Sequence, residues 1–347
     1  MTPPQLHIIE GSSVQFQPEI VDEKILFMLD MQATLRGERH GIMGAWQYSS
    51  SQYAGDPVRG AYLWEEFLKA SKDYYPIHNE IRLIGERAGD LLDDNGEPIT
   101  LADFGPGPAQ AVLNKTLPVK RHFKNVVRYC PLDKCQDYLV SAGDVLNNDQ
   151  PGIEITAFHA DYFKDHIELP QDERILALFF GSTISNLEGP PDNGIPEQEI
   201  IAQLSRVRQI IGPRGQLLMA YDTNQDEGSI LRSYLHPLQQ AFGSNVMYRV
   251  KRDLPVYGNF DPAAWRYEPV WHEKSHQLCH TIVCERTQDF WLGGEYFNIE
   301  AGQRFILNNS FKYPAMKMQQ WAQRAGFDNQ RVVMDHQNRQ ALHLMAA

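Results

Sequence analysis

The sequence predicts an α/β fold: a doubly wound, Rossmann-like parallel sheet that finishes in an antiparallel hairpin and carries an α+β insertion. Three observations lead there. From Tyr74 onward short apolar runs alternate with amphipathic stretches, and strands separated by helices pair in parallel. The run 175–180 is apolar without interruption, as a strand covered on both faces requires. Near the C-terminus the runs 331–334 and 341–345 flank a polar turn at 335–339, the pattern of a closing hairpin.

Taken in order, helices are expected near 21–36 and 61–70, separated by the polar, glycine-containing stretch 49–60. A helix follows from 74 to about 92, then a strand at 99–104 that opens through a glycine-rich turn into another helix. Further strands are expected at 126–130, 153–158, 175–180 and 216–221, with helices at 134–146 and 197–211 between them. After Asp222 the pattern changes to a helix at 228–241, an aromatic-rich stretch at 255–267 and alternating runs at 278–284 and 304–307. A helix at 314–325, stopped by Gly326 as its C-cap, leads into the hairpin. The expected division is discontinuous: residues 1–73 and 223–312 form a substrate-binding domain, and 74–222 with 313–347 form the sheet domain.

Composition narrows the function classes. Of 347 residues, 42% are hydrophobic and 22% charged, the balance of an ordinary globular chain. The formal net charge of -12 argues against nucleic acid as the main partner, because phosphate binding needs clustered Lys and Arg. No apolar run approaches the roughly 20 residues that span a bilayer, so no membrane partner is expected. The four cysteines form no CxxC pair, and the first residues lack a charged start followed by an apolar core. Reduced thiols and a cytoplasmic location are the expectation.

The candidate site lies where strands end. Beyond 175–180 the chain reads Gly181-Ser182-Thr183-Ile184-Ser185-Asn186, small polar groups delivered to the crevice outside the strands' carboxyl ends. The turn after the first strand reads Asp103-Phe104-Gly105-Pro106-Gly107-Pro108, and glycine lets backbone approach a ligand closely. A dinucleotide fingerprint would want a third small residue where Gln110 stands. A ligand without phosphates fits better. Asp133, after the second strand, suits a ribose diol, since a carboxylate accepts two strong hydrogen bonds. Asp161 and Tyr162, after the third, suit the amine and face of adenine. Asp133 could instead be the N-cap of the helix that follows.

With these residues assembled, the chain resembles the histidine Nα-methyltransferase family of ergothioneine biosynthesis and its relatives that methylate other amino acids, such as the fungal dimethylallyltryptophan enzyme. The resemblance runs from about residue 44 to the end. Its most specific segment is FFGSTISNL at 179–187, supported by DYYPIHNE ending at Glu80, YCPLD ending at Asp133, DYF from Asp161, ILRSY ending at Tyr234 and NSFKY ending at Tyr313. It implies a class I methyltransferase fold with S-adenosylmethionine on Gly105, Gly107, Asp133, Asp161, Tyr162 and Ser182. It also implies an amino-acid substrate held by its α-amino and α-carboxylate groups through Tyr74, Asn186 and Tyr234, with Ser310 near the substrate side chain and Tyr48 near the methyl-accepting nitrogen. Two positions depart from the histidine enzymes: Asn308 stands where they carry a glutamate that holds the imidazole, and His280 where they carry a methionine. A lost charge-assisted hydrogen bond costs about 1.5–3 kcal/mol, enough to erase a preference for imidazole. The expected reaction is therefore methylation of the α-amino group of an amino acid or close analogue other than histidine. The family lysine after the glycine turn is replaced by Ala111, and Ser185 stands beside Asn186 in place of a glycine.

Three other readings remain. The chain could methylate histidine itself, or it could bind S-adenosylmethionine without transferring the methyl group. It could also be a zinc hydrolase, because His272-Glu273-Lys274-Ser275-His276 matches HExxH, which holds a metal when both histidines share a helical face. Pro269 before the motif and the β-branched run 281–283 after it oppose a helix there, and no metal is expected. Oligomeric state is not encoded in any motif.

Overall fold

The computed structural model describes residues 7–10, 23–48 and 59–347. The polar stretch at 49–58 and the start of the first expected helix lie outside the described residues. Its main body is a sheet built from β1 (His7–Glu10), β2 (Ile99–Phe104), β3 (Val126–Asp133), β4 (Glu154–His159), β5 (Arg174–Phe179), β6 (Gln216–Asp222), and, after further strands, β13 (Asp328–Met334) and β14 (Gln340–Ala346). Their order is β1-β4-β3-β2-β5-β6-β14-β13. All pairs from β1 to β6 are parallel, whereas β14 runs antiparallel to both β6 and β13. The strand order reverses between β2 and β5, which opens a crevice at their carboxyl ends. This is the class I methyltransferase arrangement expected from the sequence, with its closing hairpin.

The central strands are apolar for a physical reason. Every residue of β2, and all but Arg174 of β5, is buried, because helices cover both faces. One face packs Phe104, Phe179, Met219 and Tyr221 against the helix Glu197–Ile211 and Trp321. The other packs Leu101, Leu176, Leu178 and Leu218 against Leu83 and Ile84 of the helix Tyr75–Arg87.

A second layer follows β6. It contains β7 (Val256–Gly258), β8 (Trp265–His272), β9 (Gln277–Cys284), β10 (Gln288–Leu292), β11 (Glu295–Ile299) and β12 (Arg304–Phe311). They form two antiparallel sheets, β11-β10-β7 and β12-β9-β8, which close on the helices Glu23–Leu35 and Pro237–Asp253 through a core of Phe27, Met31, Val246, Trp265, Phe290 and Phe305.

Several expectations need correction. The single helix expected at 228–241 is two, Glu227–Ser233 and Pro237–Asp253, because Pro237 fits the first turn of a new helix but not the interior of an old one. The break leaves Tyr234 at the end of the shorter helix. The strand at 304–307 continues to Phe311, which brings Ser310 into the sheet. Residues 7–10, grouped with the substrate-binding part, pair with β4 in the main sheet. By contrast, the HExxH segment is non-helical as expected: it is a strand end, a 3-10 turn (Glu273–Ser275) and a left-handed His276, so its histidines share no helical face.

Two buried contacts make the packing testable. Gly243 lies inside the helix Pro237–Asp253, and a Cβ there would run into the Tyr267 ring. Overpacking of this kind costs about 1–3 kcal/mol, so Gly243→Ala should lower the urea midpoint at unchanged slope, and an unaltered midpoint would contradict the packing. Asp103, at 1% exposure, accepts hydrogen bonds from Thr116 Oγ1 at 2.6 Å and Tyr129 OH at 3.0 Å. Burial nevertheless raises its pKa from 3.8 to about 6. The folded chain therefore holds a proton that the unfolded chain releases from about pH 4 upward, and stability is lost as pH rises across that window. Asp103→Asn is neutral throughout. The melting temperature of the unliganded native protein relative to this variant should fall between pH 4 and 6.5 and then level off; a constant difference would show that the carboxyl does not titrate in that window.

Candidate active site

The crevice begins at the turn after β2. Gly105 and Gly107 adopt φ of +71° and +69°, which disfavour any side chain, and a Cβ on Gly105 would stand 3.3 Å from the Tyr162 hydroxyl. The amide of Gly105 donates to the Leu132 carbonyl at 2.8 Å, anchoring the turn to β3. The helical stretch after it contains a π turn, Val112–Thr116. Such a turn carries one more residue than an α-helical one, and Lys115 and Thr116 within it both point inward. Thr116 reaches Asp103, as described, and Lys115 reaches Glu80.

Asp133 ends β3 beside this turn. Its Oδ1 accepts from the Cys135 amide at 2.8 Å, and the Gly107 amide also donates to the carboxylate. Burial raises its pKa, and the amides of Cys135, Lys134 and Gly107 partly reverse this. The following helix begins at Gln136 with Cys135 in the cap position, so Asp133 does not cap it. Tyr162 is buried, with its ring against Phe104 and Phe179 and its hydroxyl bonded to Thr183. Burial raises its pKa, so the phenol is neutral. The structure thus brings Gly105, Gly107, Asp133 and Tyr162 together. Asp161 follows β4 as expected from the sequence, and there it also meets cations of the chain itself: Lys134 Nζ stands 2.7 Å and Lys164 Nζ 3.8 Å from its Oδ2, and Oδ1 accepts from the Phe163 amide.

After β5 the chain turns through Gly181 (φ +76°) and Ser182 (φ +54°) into the 3-10 turn Thr183–Ser185. Left-handed Ser182 costs of order 1 kcal/mol, and outside contacts over-determine the loop. Glu80 Oε1 accepts from the Gly181 amide at 2.6 Å, while its Oε2 faces Lys115 Nζ at 3.2 Å. On the far side, buried Asn309 donates to the carbonyls of Leu187 and Gly189. Asn186 is held between these clamps with its side chain exposed to the crevice.

The second layer forms the opposite wall. Tyr74 and Tyr234 meet edge to face, with centroids 5.4 Å apart and a hydroxyl contact. Burial drives Tyr74 well above the ordinary tyrosine pKa. Tyr48 is 38% exposed, its ring against Phe242 and Trp64. His280 is 5% exposed and bonded at both nitrogens, Nδ1 to Tyr267 OH at 2.7 Å and Nε2 to Ser310 Oγ at 2.9 Å. Burial, helped by Lys312, lowers its pKa to about 3, so it is neutral. Ser310 Oγ stands 3.5 Å from Asn186 Oδ1. Asn308 lies opposite His280 in the β9–β12 register, its Oδ1 accepting from the Asn309 amide. A Cβ on Gly44 would come 2.7 Å from that Oδ1.

Sequence reasoning missed four contributors: Glu80, Lys115, Tyr267 and the Asp222–Lys312 pair. Lys312 Nζ lies 2.7 Å from Asp222 Oδ2, and Tyr75 OH donates to the same oxygen at 2.7 Å. Burial pulls Lys312 down, but Asp222 and Tyr234 more than offset it and the net pKa is raised. Asn308 and Ser310 alternate along β12, and Lys312, one residue past its end at Phe311, continues the spacing, a period-2 pattern that could have marked Lys312 for the same face. Lys115 is one turn beyond Ala111, where the cation was sought, and nothing in the sequence signals the π turn that carries it inward.

The arrangement offers a glycine cradle with a carboxylate for a diol, and a neutral, aromatic, hydroxyl-bearing wall facing an amide. Such a crevice has the chemistry to hold a nucleoside beside a small polar molecule. Comparison with known proteins identifies the family. A model of the family described as histidine-specific methyltransferase, SAM-dependent, matches residues 27–347. An uncharacterized protein of Sinorhizobium fredii is 31% identical over 66% of this chain and 74% of its own. The histidine N-alpha-methyltransferase of Mycolicibacterium smegmatis is 28% identical over 71% of this chain and 73% of its own. The 4-dimethylallyltryptophan N-methyltransferase of Trichophyton verrucosum is 23% identical over 74% and 76%. The chain belongs to the histidine-specific, S-adenosylmethionine-dependent methyltransferase family.

Proposed function

We propose that this methyltransferase acts on the α-amino group of a free amino acid or close analogue other than histidine. The observation that carries the reading is the neutral acceptor wall: Asn308 supplies an amide where a glutamate would hold an imidazole, and His280 is uncharged and bonded at both nitrogens. A site made this way forgoes the charge-assisted hydrogen bond that would favour imidazole. The acceptors named for the relatives, histidine and dimethylallyltryptophan, support an amino acid as the substrate class. Residues 23–48, 59–73 and 223–312 would then form the acceptor side, with the main sheet holding the methyl donor.

S-adenosylmethionine supplies a methyl group on a positively charged sulfur. Gly105, Gly107, Asp133 and Tyr162 would hold its nucleoside, with Ser182 at the strand end. Asp161, already paired with Lys134 and Lys164, would shape that end by closing the turn after β4. Lys115 stands beside Gly181 but is matched by Glu80, so it adds no net positive charge near a cationic sulfur. On the acceptor side, Tyr74 and Asn186 orient the amine, Tyr234 the carboxylate, and Ser310 the substrate side-chain end, with Tyr48 near the methyl-accepting nitrogen. The task of Tyr74 and Asn186 would be to point the amine lone pair at the activated methyl group while the surrounding residues exclude water. Alignment of this kind supplies up to about 7–11 kcal/mol in the best intramolecular cases. An α-amino group has a pKa of about 7.7–8 in peptide-like surroundings, and the carboxylate of a free amino acid raises it further, so the site's part is to bind the small neutral fraction of the amine.

A mass-shift screen of free amino acids with S-adenosylmethionine should give products heavier by one methyl group from an aromatic or hydroxylated acceptor in preference to histidine. Preference for histidine would refute the substrate reading, and cofactor binding without transfer to any acceptor would refute catalysis. Asn186→Ala should lower kcat/KM for the acceptor roughly 10- to 100-fold, about 1.4–2.8 kcal/mol, and leave cofactor affinity within about twofold. Equal loss of both would remove Asn186 from the acceptor side. In a pH–rate profile, kcat/KM should rise as the amine loses its proton. His280 protonates only near pH 3, so His280→Gln should leave the position of that rise unchanged between about pH 5 and 8; a shifted limb would mean His280 titrates there.

A further inference from the structure

A continuous line of hydrogen bonds runs behind the acceptor wall. Gln239 Nε2 donates to Tyr267 OH at 3.5 Å, Tyr267 OH meets His280 Nδ1 at 2.7 Å, His280 Nε2 meets Ser310 Oγ at 2.9 Å, and Ser310 donates to Asn186 Oδ1 at 3.5 Å. A neutral imidazole carries one ring hydrogen, so it gives the line a single direction. With Gln239 donating at one end, Tyr267 donates to Nδ1, Nε2–H donates to Ser310, and the serine hydroxyl is left to donate onward. The acceptor it meets is the oxygen of Asn186. Tyr267 is fixed in turn by the absent side chain of Gly243 and by stacking at 22° on the His280 ring.

We propose that His280 is a positioning residue: acting through Ser310, it selects the orientation of the Asn186 amide that presents oxygen, rather than NH2, to the acceptor amine. The proposal rests on the reading of Asn186 as the amine-orienting group. The two orientations of an amide are nearly isosteric and chemically opposite. Oxygen accepts an amine N–H and leaves the lone pair free for the methyl carbon, whereas NH2 turned to the same place would donate into the lone pair and quench it. Oδ1 has two lone pairs, one for Ser310 and one for the amine. Among the described residues no side chain other than Ser310 hydrogen-bonds the Asn186 amide, so this link decides between the two orientations. At 3.5 Å it is long, and hydrogen bonds of this type tighten when substrate is in place.

Three variants test the line. His280→Phe keeps a planar ring but removes both bonds. His280→Gln restores one donor and one acceptor, and Ser310→Ala cuts the last link. With the acceptor found for the native protein, His280→Phe should lower kcat about tenfold with KM changed less than about threefold. His280→Gln should recover most of that loss, and the double variant combining His280→Phe with Ser310→Ala should be no slower than the worse single. Binding of S-adenosylhomocysteine by calorimetry should stay within about twofold in all of them, which also shows that they fold. Undiminished kcat in His280→Phe, no recovery in His280→Gln, or multiplicative losses in the double variant would overturn the proposal. A readout independent of any acceptor is the Asn186 side-chain amide signal in protein carrying 15N asparagine and bound to S-adenosylhomocysteine. It should be one sharp pair in the native protein and His280→Gln, and doubled or broadened in His280→Phe. An identical sharp pair in all three would overturn the proposal even if no amino acid proved to be a substrate, the outcome that would instead undo the proposed function.

Discussion

The junction between the two layers hangs on one buried carboxylate. Asp222 ends β6 and has no exposed surface. Its Oδ2 takes the Lys312 ammonium and the Tyr75 hydroxyl, its Oδ1 takes the Asn224 amide, and its own carbonyl takes the Tyr313 amide. Three segments distant in sequence are thereby joined at one point: the helix Tyr75–Arg87, the last parallel strand with the turn that follows it, and the exit of β12. A buried ion pair gives little net stability, because desolvation opposes the Coulomb gain, yet breaking one side leaves a charge stranded at a cost of about 3–5 kcal/mol. Its effect is to fix geometry. Lys312 also lies 5.5 Å from the Tyr234 ring centroid, so the placement of the acceptor wall follows from the same contact.

The central sheet was legible in the sequence because its physics is local. A strand buried on both faces must be apolar throughout, and a chain leaving it for a ligand must turn on glycine or small polar residues. Hence 99–104 is matched residue for residue and 175–180 is displaced by one. The helix at 228–241 failed on Pro237, whose conflict with an unbroken helix was present in the sequence but outweighed by the surrounding periodicity. β1 failed because four residues at a sheet edge carry no period long enough to read.

The candidate site divides along the same line. Gly105, Gly107, Asp133 and Tyr162 each follow a strand, so topology alone carries them to one crevice. The acceptor wall does not follow from topology. Tyr267 and His280 are 13 residues apart on neighbouring strands, and Gln239 and Asn186 come from still more distant segments. Such partners depend on register, and a shift of one residue would send each side chain to the opposite face. Glu80 shows the intermediate case: it sits within a motif quoted for resemblance, but its role as the acceptor for the Gly181 amide emerges only once the helix Tyr75–Arg87 is laid against β5.

Charge explains why the two halves of the crevice are built so differently. On the nucleoside side, charges are retained and paired: Asp161 with Lys134, Lys115 with Glu80, and Asp133 with backbone amides. There the field must tolerate a cationic sulfur before transfer and a neutral thioether after it, and paired charges keep the energy of that change small. On the proposed acceptor side the named groups are neutral: Tyr74, held protonated by burial, the His280 imidazole, whose pKa burial lowers to about 3, and the amides of Asn186 and Asn308. A carboxylate at Asn308 would stabilise the protonated amine, which has no lone pair, as well as a basic side chain. On the proposed reading a neutral wall would favour the uncharged amine instead, so the same substitution that would loosen the hold on imidazole would also lower the cost of reaching the nucleophilic form.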